Sequence, residues 1–282
     1  MKIDGKKLAS EKLSKLKIRV RRLKSKNVTP TLAIILMGNN VASDIYVRQK
    51  GIKAKEIGAL VKVLPVKETT TNEELEKLIK KLDKNPKVHG IILQRPAPGN
   101  IEVDRLTDLV SPSKEVDGFG SRPAYPVPVA QAVIIMLKYV YRQSKQKQGF
   151  KKWLNSKRVA AIGKGQTAGR PIIELLSKQE ANPNIIDSKT KNRDQILKRS
   201  DIVVSAVGKH VLSAKDIKKN VILIGVGLFT DKKGKLKGDY EDSEVEGITS
   251  YYSPTPGGVG PLNVACLMEN LVNAADKQTR TL

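Results

Sequence analysis

The sequence predicts an α/β fold made of two parallel-sheet units in tandem, and three observations carry that prediction. Apolar runs of strand length alternate with amphipathic segments of about 10–15 residues, the signature of βαβ units. The alternation halts across Lys138–Asn155, a lysine- and glutamine-rich stretch, and then begins again. The first apolar run of the second series leads straight into a glycine turn, Gly163-Lys164-Gly165-x-x-x-Gly169, that opens a helix at Arg170-Pro171. Strands joined in this way lie parallel, with right-handed crossovers.

In order, the chain opens with a helix whose apolar stripe is Ala9, Leu13, Leu16, Val20 and Leu23. Thr31–Met37 is a continuous apolar run, as expected of a strand covered on both faces. Gly38-Asn39-Asn40 turns the chain into a helix from about Ser43 to Ile57, which stops before Gly58. Leu60–Leu64 reads as a second strand. Thr71 and Glu74 have the spacing of a capping box, opening a helix with Leu75, Leu78, Ile79 and Leu82 inward. Val88–Leu93 is the third strand.

The second series has strands at Arg158–Ile162, Asn184–Asp187, Asp201–Val207 and Val221–Val226. Ser253–Pro261 then packs three prolines and three glycines into nine residues before a last amphipathic helix. Proline fixes φ and removes a donor, whereas glycine lets another molecule approach the backbone. That density predicts a shaped loop meeting a ligand, against the alternative of a stiff loop with none.

Net charge is +24, with ten Lys/Arg against two acids in residues 1–25 and eight against none in 138–158. Nucleic-acid binding is one reading of that charge. Against it, aromatic residues are only 4% and no zinc-ligand or RNA-binding pattern interleaves with the cations. The first basic run is the solvated face of an amphipathic helix, and a positive field also attracts small polyanionic substrates. Nucleic acid is therefore not expected as the main partner. No apolar run approaches the ~20 residues of a membrane span, and the amino terminus lacks the apolar core of a signal peptide, so a cytoplasmic protein with no membrane partner is expected. Cys266, the single cysteine, falls in the apolar pattern of the last helix and reads as a small core residue. His89 and His210 show no ligand spacing, and no metal is expected.

Several segments have the makings of a site. Tyr46 and Lys50 share a helix face, and a phenol beside an ammonium is a candidate acid/base pair in which each lowers the other's pKa. Gln94 follows the third strand, at the carboxyl end where ligands bind in open α/β sheets. Asp117-Gly118 reads as a turn or as an exposed anchoring carboxylate. The glycine turn at 163–169 would let phosphate sit against backbone N–H groups at a helix start, though its spacing is one residue longer than the usual dinucleotide fingerprint.

Taken together and in order, Tyr46-x-x-x-Lys50, Gln94–Pro98, Val116-Asp-Gly-Phe119, the turn at Gly163, Asp201–Gly208 and Pro256-Gly-Gly-Val-Gly-Pro261 resemble the bifunctional methylenetetrahydrofolate dehydrogenase/methenyltetrahydrofolate cyclohydrolase family. The resemblance runs nearly the length of the chain. It implies a folate-binding catalytic domain (1–141 plus 262–282) and a Rossmann-like NAD(P)-binding domain (142–261) flanking a cleft. It places the family's catalytic lysine on Lys50, its tyrosine on Tyr46, its glutamine on Gln94 and its pterin-anchoring aspartate on Asp117. Pro256, Gly257 and Gly258 would complete the substrate site. Gly163, Lys164, Gly165, Gly169, Ser188, Thr190, Val207 and Gly208 would hold the cofactor. The implied reaction passes a hydride from methylenetetrahydrofolate to the nicotinamide, then adds water to the methenyl carbon to give 10-formyltetrahydrofolate, for one-carbon metabolism and purine biosynthesis. A homodimer is implied as well. The alternatives are an NAD(P)-dependent oxidoreductase on another small substrate and a basic nucleic-acid-binding protein.

The chain departs from the family pattern in places. Tyr125–Ala130 lacks the usual cysteine and threonine, Lys164-Gly165 stands for Arg-Ser, and Gly225-Val-Gly227 for Asp-Val-Gly. Leu262-Asn263 replaces Met-Thr, and Arg95 replaces an apolar residue. Asp187, 24 positions after Gly163, favours the ribose hydroxyls of NAD, whereas Lys164 and Lys189 favour the 2′-phosphate of NADP. NADP is the expected cofactor, with NAD possible.

Overall fold

The computed structural model describes residues 1–38 and 41–280, with only the backbone for 41–44. In chain order the first elements are α1 (Gly5–Lys24), β1 (Thr31–Met37), α2 (Val41–Ile57), β2 (Leu60–Val66), α3 (Asn72–Asp83), β3 (Gly90–Leu93) and α4 (Val103–Asp108). Next come α5 (Pro128–Gln143), α6 (Phe150–Asn155), β4 (Val159–Ile162), α7 (Gly169–Lys178), β5 (Asn184–Ile186), α8 (Arg193–Arg199) and β6 (Ile202–Ser205). A 3₁₀ turn at Ala214–Asp216 precedes β7 (Ile222–Gly225), β8 (Leu228–Thr230), β9 (Leu236–Gly238), α9 (Asp242–Val245), β10 (Tyr251–Tyr252) and α10 (Val259–Arg280). Asn39 and Asn40 of the expected turn lie outside the described residues.

Contacts divide the chain into two units, one of Ala9–Pro128 with Val264–Leu282 and one of Met1–Leu8 with Val129–Asn263. The passages fall inside α1, α5 and α10 rather than at 141/142 and 261/262. Lys138–Asn155, where the alternation halts, is largely helical. It folds as the end of α5 and as α6, because the rings of Tyr141, Phe150 and Trp153 pack on one another at 5.6–5.9 Å. The first residues join the second unit because Ile3 N donates to the Tyr252 carbonyl at 2.7 Å and Tyr252 N to that of Met1 at 3.0 Å.

The first unit has a three-stranded parallel sheet in the order β2-β1-β3. All seven residues of β1 are buried, as its unbroken apolar run requires. Ala33, Ile35 and Met37 pack with Leu75, Ile79 and Leu82 of α3. The Thr71–Glu74 capping box forms as expected. β3 starts two residues late, since Val88 N closes a turn onto the Asn85 carbonyl. Beside it, Ile91 bridges Glu115 in parallel and donates to the Lys114 carbonyl at 2.8 Å. That pairing brings residues 115–117 to the carboxyl end of the sheet next to Gln94. Cys266, in α10, is buried, and burial pushes its thiol up to about 12.

The second unit has a five-stranded parallel sheet in the order β10-β7-β6-β4-β5. Its first strand, β4, lies between its second and third, so the chain leaves β4 and β6 on opposite courses: a doubly wound sheet with its switch point at the carboxyl ends of these two strands. The β8–β9 hairpin and the two-residue β10 were not anticipated.

Candidate active site

In the first unit, α2 and the carboxyl end of the sheet bring Lys50, Gln94 and Asp117 together. Lys50 is only 9% exposed, and its Nζ donates to Gln94 Oε1 at 2.9 Å. Gln94 is held in turn: its backbone N donates to the Ile35 carbonyl at 2.9 Å and its Nε2 to the Arg95 carbonyl at 2.7 Å. With one end of the amide committed to a carbonyl, the other presents oxygen to the amine. Burial drives the Lys50 pKa down, and the nearby Asp117 charge works against that.

Tyr46 lies one turn earlier on α2 and stays 39% exposed. Its phenol is pushed up by partial burial rather than lowered by Lys50. The expected mutual lowering is thus corrected: Lys50 becomes more acidic through desolvation, and Tyr46 does not become more acidic at all.

The Asp117 loop is shaped by a carboxylate that the sequence reading did not single out. Buried Glu115 accepts from the backbone N of Asp117 at 3.0 Å, of Gly118 at 2.9 Å and of Gly120 at 3.3 Å. Burial, and then Asp117, push the Glu115 carboxyl up. Gly118 has φ +79°, and a Cβ there would stand 2.7 Å from Val127 N, so only glycine fits. The departing Tyr125–Val127 segment is therefore packed directly against the anchor turn. Asn270 of α10 ties both together, its Nδ2 donating to the carbonyls of Val116 at 2.9 Å and Pro126 at 3.0 Å. Arg95 sits 5.0 Å from the Phe119 ring centre and 2.7 Å from Asp104. A glutamate two residues before an Asp-Gly turn is the only sequence trace of this arrangement.

In the second unit, the turn after β4 lies at the switch point. Gly163 has φ +90°, and a Cβ there would meet the Ala206 carbonyl at 2.6 Å, so the turn lies against the residue that follows β6. Around a Cβ built on Gly165 there is no atom within 4 Å. α7 starts at Gly169 with no side chain capping its first turn. An open glycine turn leading into an uncapped helix start fits a phosphate group. Lys164 pairs with Asp187 at 2.8 Å, and Asp187 also accepts from Lys189 N at 3.0 Å and Thr190 Oγ1 at 3.1 Å. Those partners, Lys164 first, hold the Asp187 carboxyl down at about 2. Ser188 is exposed beside them. After β6, the N–H groups of Val207 and Gly208 point to buried Asp239, at 3.0 and 2.8 Å.

Pro256, Gly257 and Gly258 also lie in the second unit. A Cβ on Gly258 would stand 2.5 Å from the Pro254 carbonyl oxygen, so this loop folds tightly on itself. At Gly225, a Cβ would stand 2.7 Å from the Tyr240 ring. Tyr240 occupies that space, with its hydroxyl donating to the Ser253 carbonyl at 2.6 Å.

Residues 3–117 match the model of the tetrahydrofolate dehydrogenase/cyclohydrolase catalytic domain, and residues 144–279 match that family's NAD(P)-binding domain. The bifunctional protein FolD of Lactococcus lactis subsp. lactis is 35% identical over 285 residues, covering 98% of this chain and 97% of its own. The crystal structure of the FolD methylenetetrahydrofolate dehydrogenase/cyclohydrolase of Campylobacter jejuni superposes with a TM-score of 0.91 at 32% identity, covering 98% and 99%. The Trypanosoma brucei methylenetetrahydrofolate dehydrogenase-cyclohydrolase, solved with NADP cofactor and inhibitor, gives 0.88 at 28% identity, covering 99% and 98%.

Proposed function

The chain belongs to the tetrahydrofolate dehydrogenase/cyclohydrolase family, and from that premise we propose that it oxidises 5,10-methylenetetrahydrofolate with NADP and hydrolyses the methenyl product to 10-formyltetrahydrofolate. The observation that carries the reading is the buried Lys50 amine, bonded to Gln94 at 2.9 Å and facing the Asp117 charge. Desolvation favours a neutral amine, and a cationic methenyl ligand would favour it further. Lys50 is the general base that takes a proton from the attacking water, a role worth about 10²–10⁴-fold in rate. Gln94 holds Nζ in place. Asp117 accepts two parallel hydrogen bonds from the amino-pyrimidine edge of the pterin, and Tyr46 lays its ring along the folate.

The hydride step depends on alignment more than on acid or base. NADP, when bound, supplies the hydride acceptor. Gly163, Gly165 and Gly169 with the start of α7 would take its phosphates, Ser188, Thr190 and Lys164, the last on leaving Asp187, would meet the 2′-phosphate, and Val207 and Gly208 would line the nicotinamide side. The comparisons lend no support to another small substrate or to nucleic-acid binding as the main function.

The protein is read as a cytoplasmic homodimer supplying formyl groups for purine biosynthesis. The open edge of β2 supports the dimer, since Leu60 and Val63 are 51% and 42% exposed on a strand with one side unpaired among the described residues. An absorbance assay with methylenetetrahydrofolate and NADP or NAD tests the function. Turnover with NADP and release of 10-formyltetrahydrofolate are expected; no turnover with either cofactor would refute the reading.

A further inference from the structure

We infer that Asp239 is a positioning residue for the cofactor loop: it holds Ser205–Lys209 in register from beneath and touches no cofactor itself. This rests on the reading that Val207 and Gly208 meet the cofactor. Asp239 follows β9 and is 0% exposed. Its Oδ2 accepts from Ser205 Oγ at 2.7 Å and Val207 N at 3.0 Å, and its Oδ1 from Gly208 N at 2.8 Å and Lys209 N at 3.2 Å. Three successive backbone N–H groups converging on one point form an anion nest. Here the anion is part of the chain.

The arrangement has two consequences. A buried carboxylate needs donors for its lone pairs, and the four donors answer that need, so the loop and the acid stabilise each other. The N–H groups of Val207 and Gly208 are also turned inward, onto Asp239, so the acid sets the course of the loop backbone. The Asp239 carbonyl accepts from Val211 N at 2.8 Å and Leu212 N at 3.1 Å, so the same residue fastens the chain that leaves the loop. An asparagine has the size but not the chemistry: even in the better of its two orientations its NH₂ would face the Val207 N–H, with the Ser205 hydroxyl to accept from it.

The test compares the wild-type enzyme with Asp239→Asn, reading the NADP KM of the dehydrogenase and the cyclohydrolase rate on methenyltetrahydrofolate supplied directly. Loss of charge-assisted bonds to the loop is expected to raise the NADP KM by about 10- to 100-fold. The cofactor-independent hydrolysis should stay within about twofold of wild type, which general destabilisation would not allow. An unchanged NADP KM, or a parallel loss of both activities in folded protein, would overturn the inference. Ser205→Ala removes one donor and keeps the carboxylate, so it covers the case in which Asp239→Asn does not fold. A rise of about two- to fivefold in the NADP KM is expected there, and no change would count against the proposal. If wild-type enzyme used no NADP at all, the functional reading itself would fall, and this inference with it.

Discussion

The Lys164 ammonium stands 2.8 Å from a carboxylate oxygen of Asp187, so the acid at the end of β5 is already paired without a cofactor. An acid about 20 residues beyond the glycine turn ordinarily greets the ribose hydroxyls of NAD. Here its charge is met by a lysine and two further donors. Asp187→Ser should release Lys164 toward a 2′-phosphate and raise the NADP:NAD ratio of kcat/KM by about tenfold. Both ratios come from steady-state kinetics. A wild-type preference for NAD that collapses in the variant would show that Asp187 decides, against NADP.

The pH dependence of the cyclohydrolase should follow Lys50. Burial lowers its pKa, so the neutral base persists to lower pH than for an exposed lysine, and the acid limb of the kcat profile should lie below the ordinary lysine value. Asp117 opposes that shift. Removing its charge in Asp117→Asn should therefore move the limb to still lower pH, measured at saturating substrate. A limb moving upward would contradict the assigned coupling.

Lys50→Met keeps the bulk and removes the amine. Cyclohydrolase activity should fall by at least about 100-fold while folate binding, read by fluorescence or calorimetry, stays near wild type. Asp117→Ala should instead weaken folate binding and depress both activities. Charge-assisted hydrogen bonds of about 1.5–3 kcal/mol correspond to roughly 10- to 150-fold in affinity. Full hydrolysis by the Lys50 variant would remove it from the mechanism.

Val63→Glu on the open edge of β2 should weaken self-association by at least about tenfold, seen as a shift toward monomer in sedimentation. Helical content should not change, because the residue is already 42% exposed. A wild-type protein that sediments as a monomer would dispose of the dimer.

Much of the fold is legible locally. The six successive apolar residues Leu32–Met37 read as a covered strand, and the Thr71–Glu74 box marks the start of α3 within one residue. What escapes is set by distant partners. β10 is two residues long and exists because Tyr251 and Tyr252 find Ile222 and Leu223 in register, which no local pattern announces. Residues 1–8 group with the second unit through bonds to Tyr252, about 250 positions away, a pairing that no local pattern announces. In the site, Lys50 and Gln94 are visible as residues at the right ends of elements. Glu115 and Asp239 act through backbone N–H groups, which every residue carries, and so leave almost no mark in the sequence.

The Tyr240 ring in the space beside Gly225 makes these two positions epistatic. A side chain at 225 is closed to this protein while the ring is present, and shrinking Tyr240 first would empty that space and take from the backbone N of Gly225 the hydroxyl at 3.2 Å, leaving it Ser253 Oγ at 2.8 Å. Either order of substitution passes through a worse intermediate, by crowding or by an emptied cavity. A larger residue at 225 therefore calls for a smaller one at 240, and the two changes would have to come together.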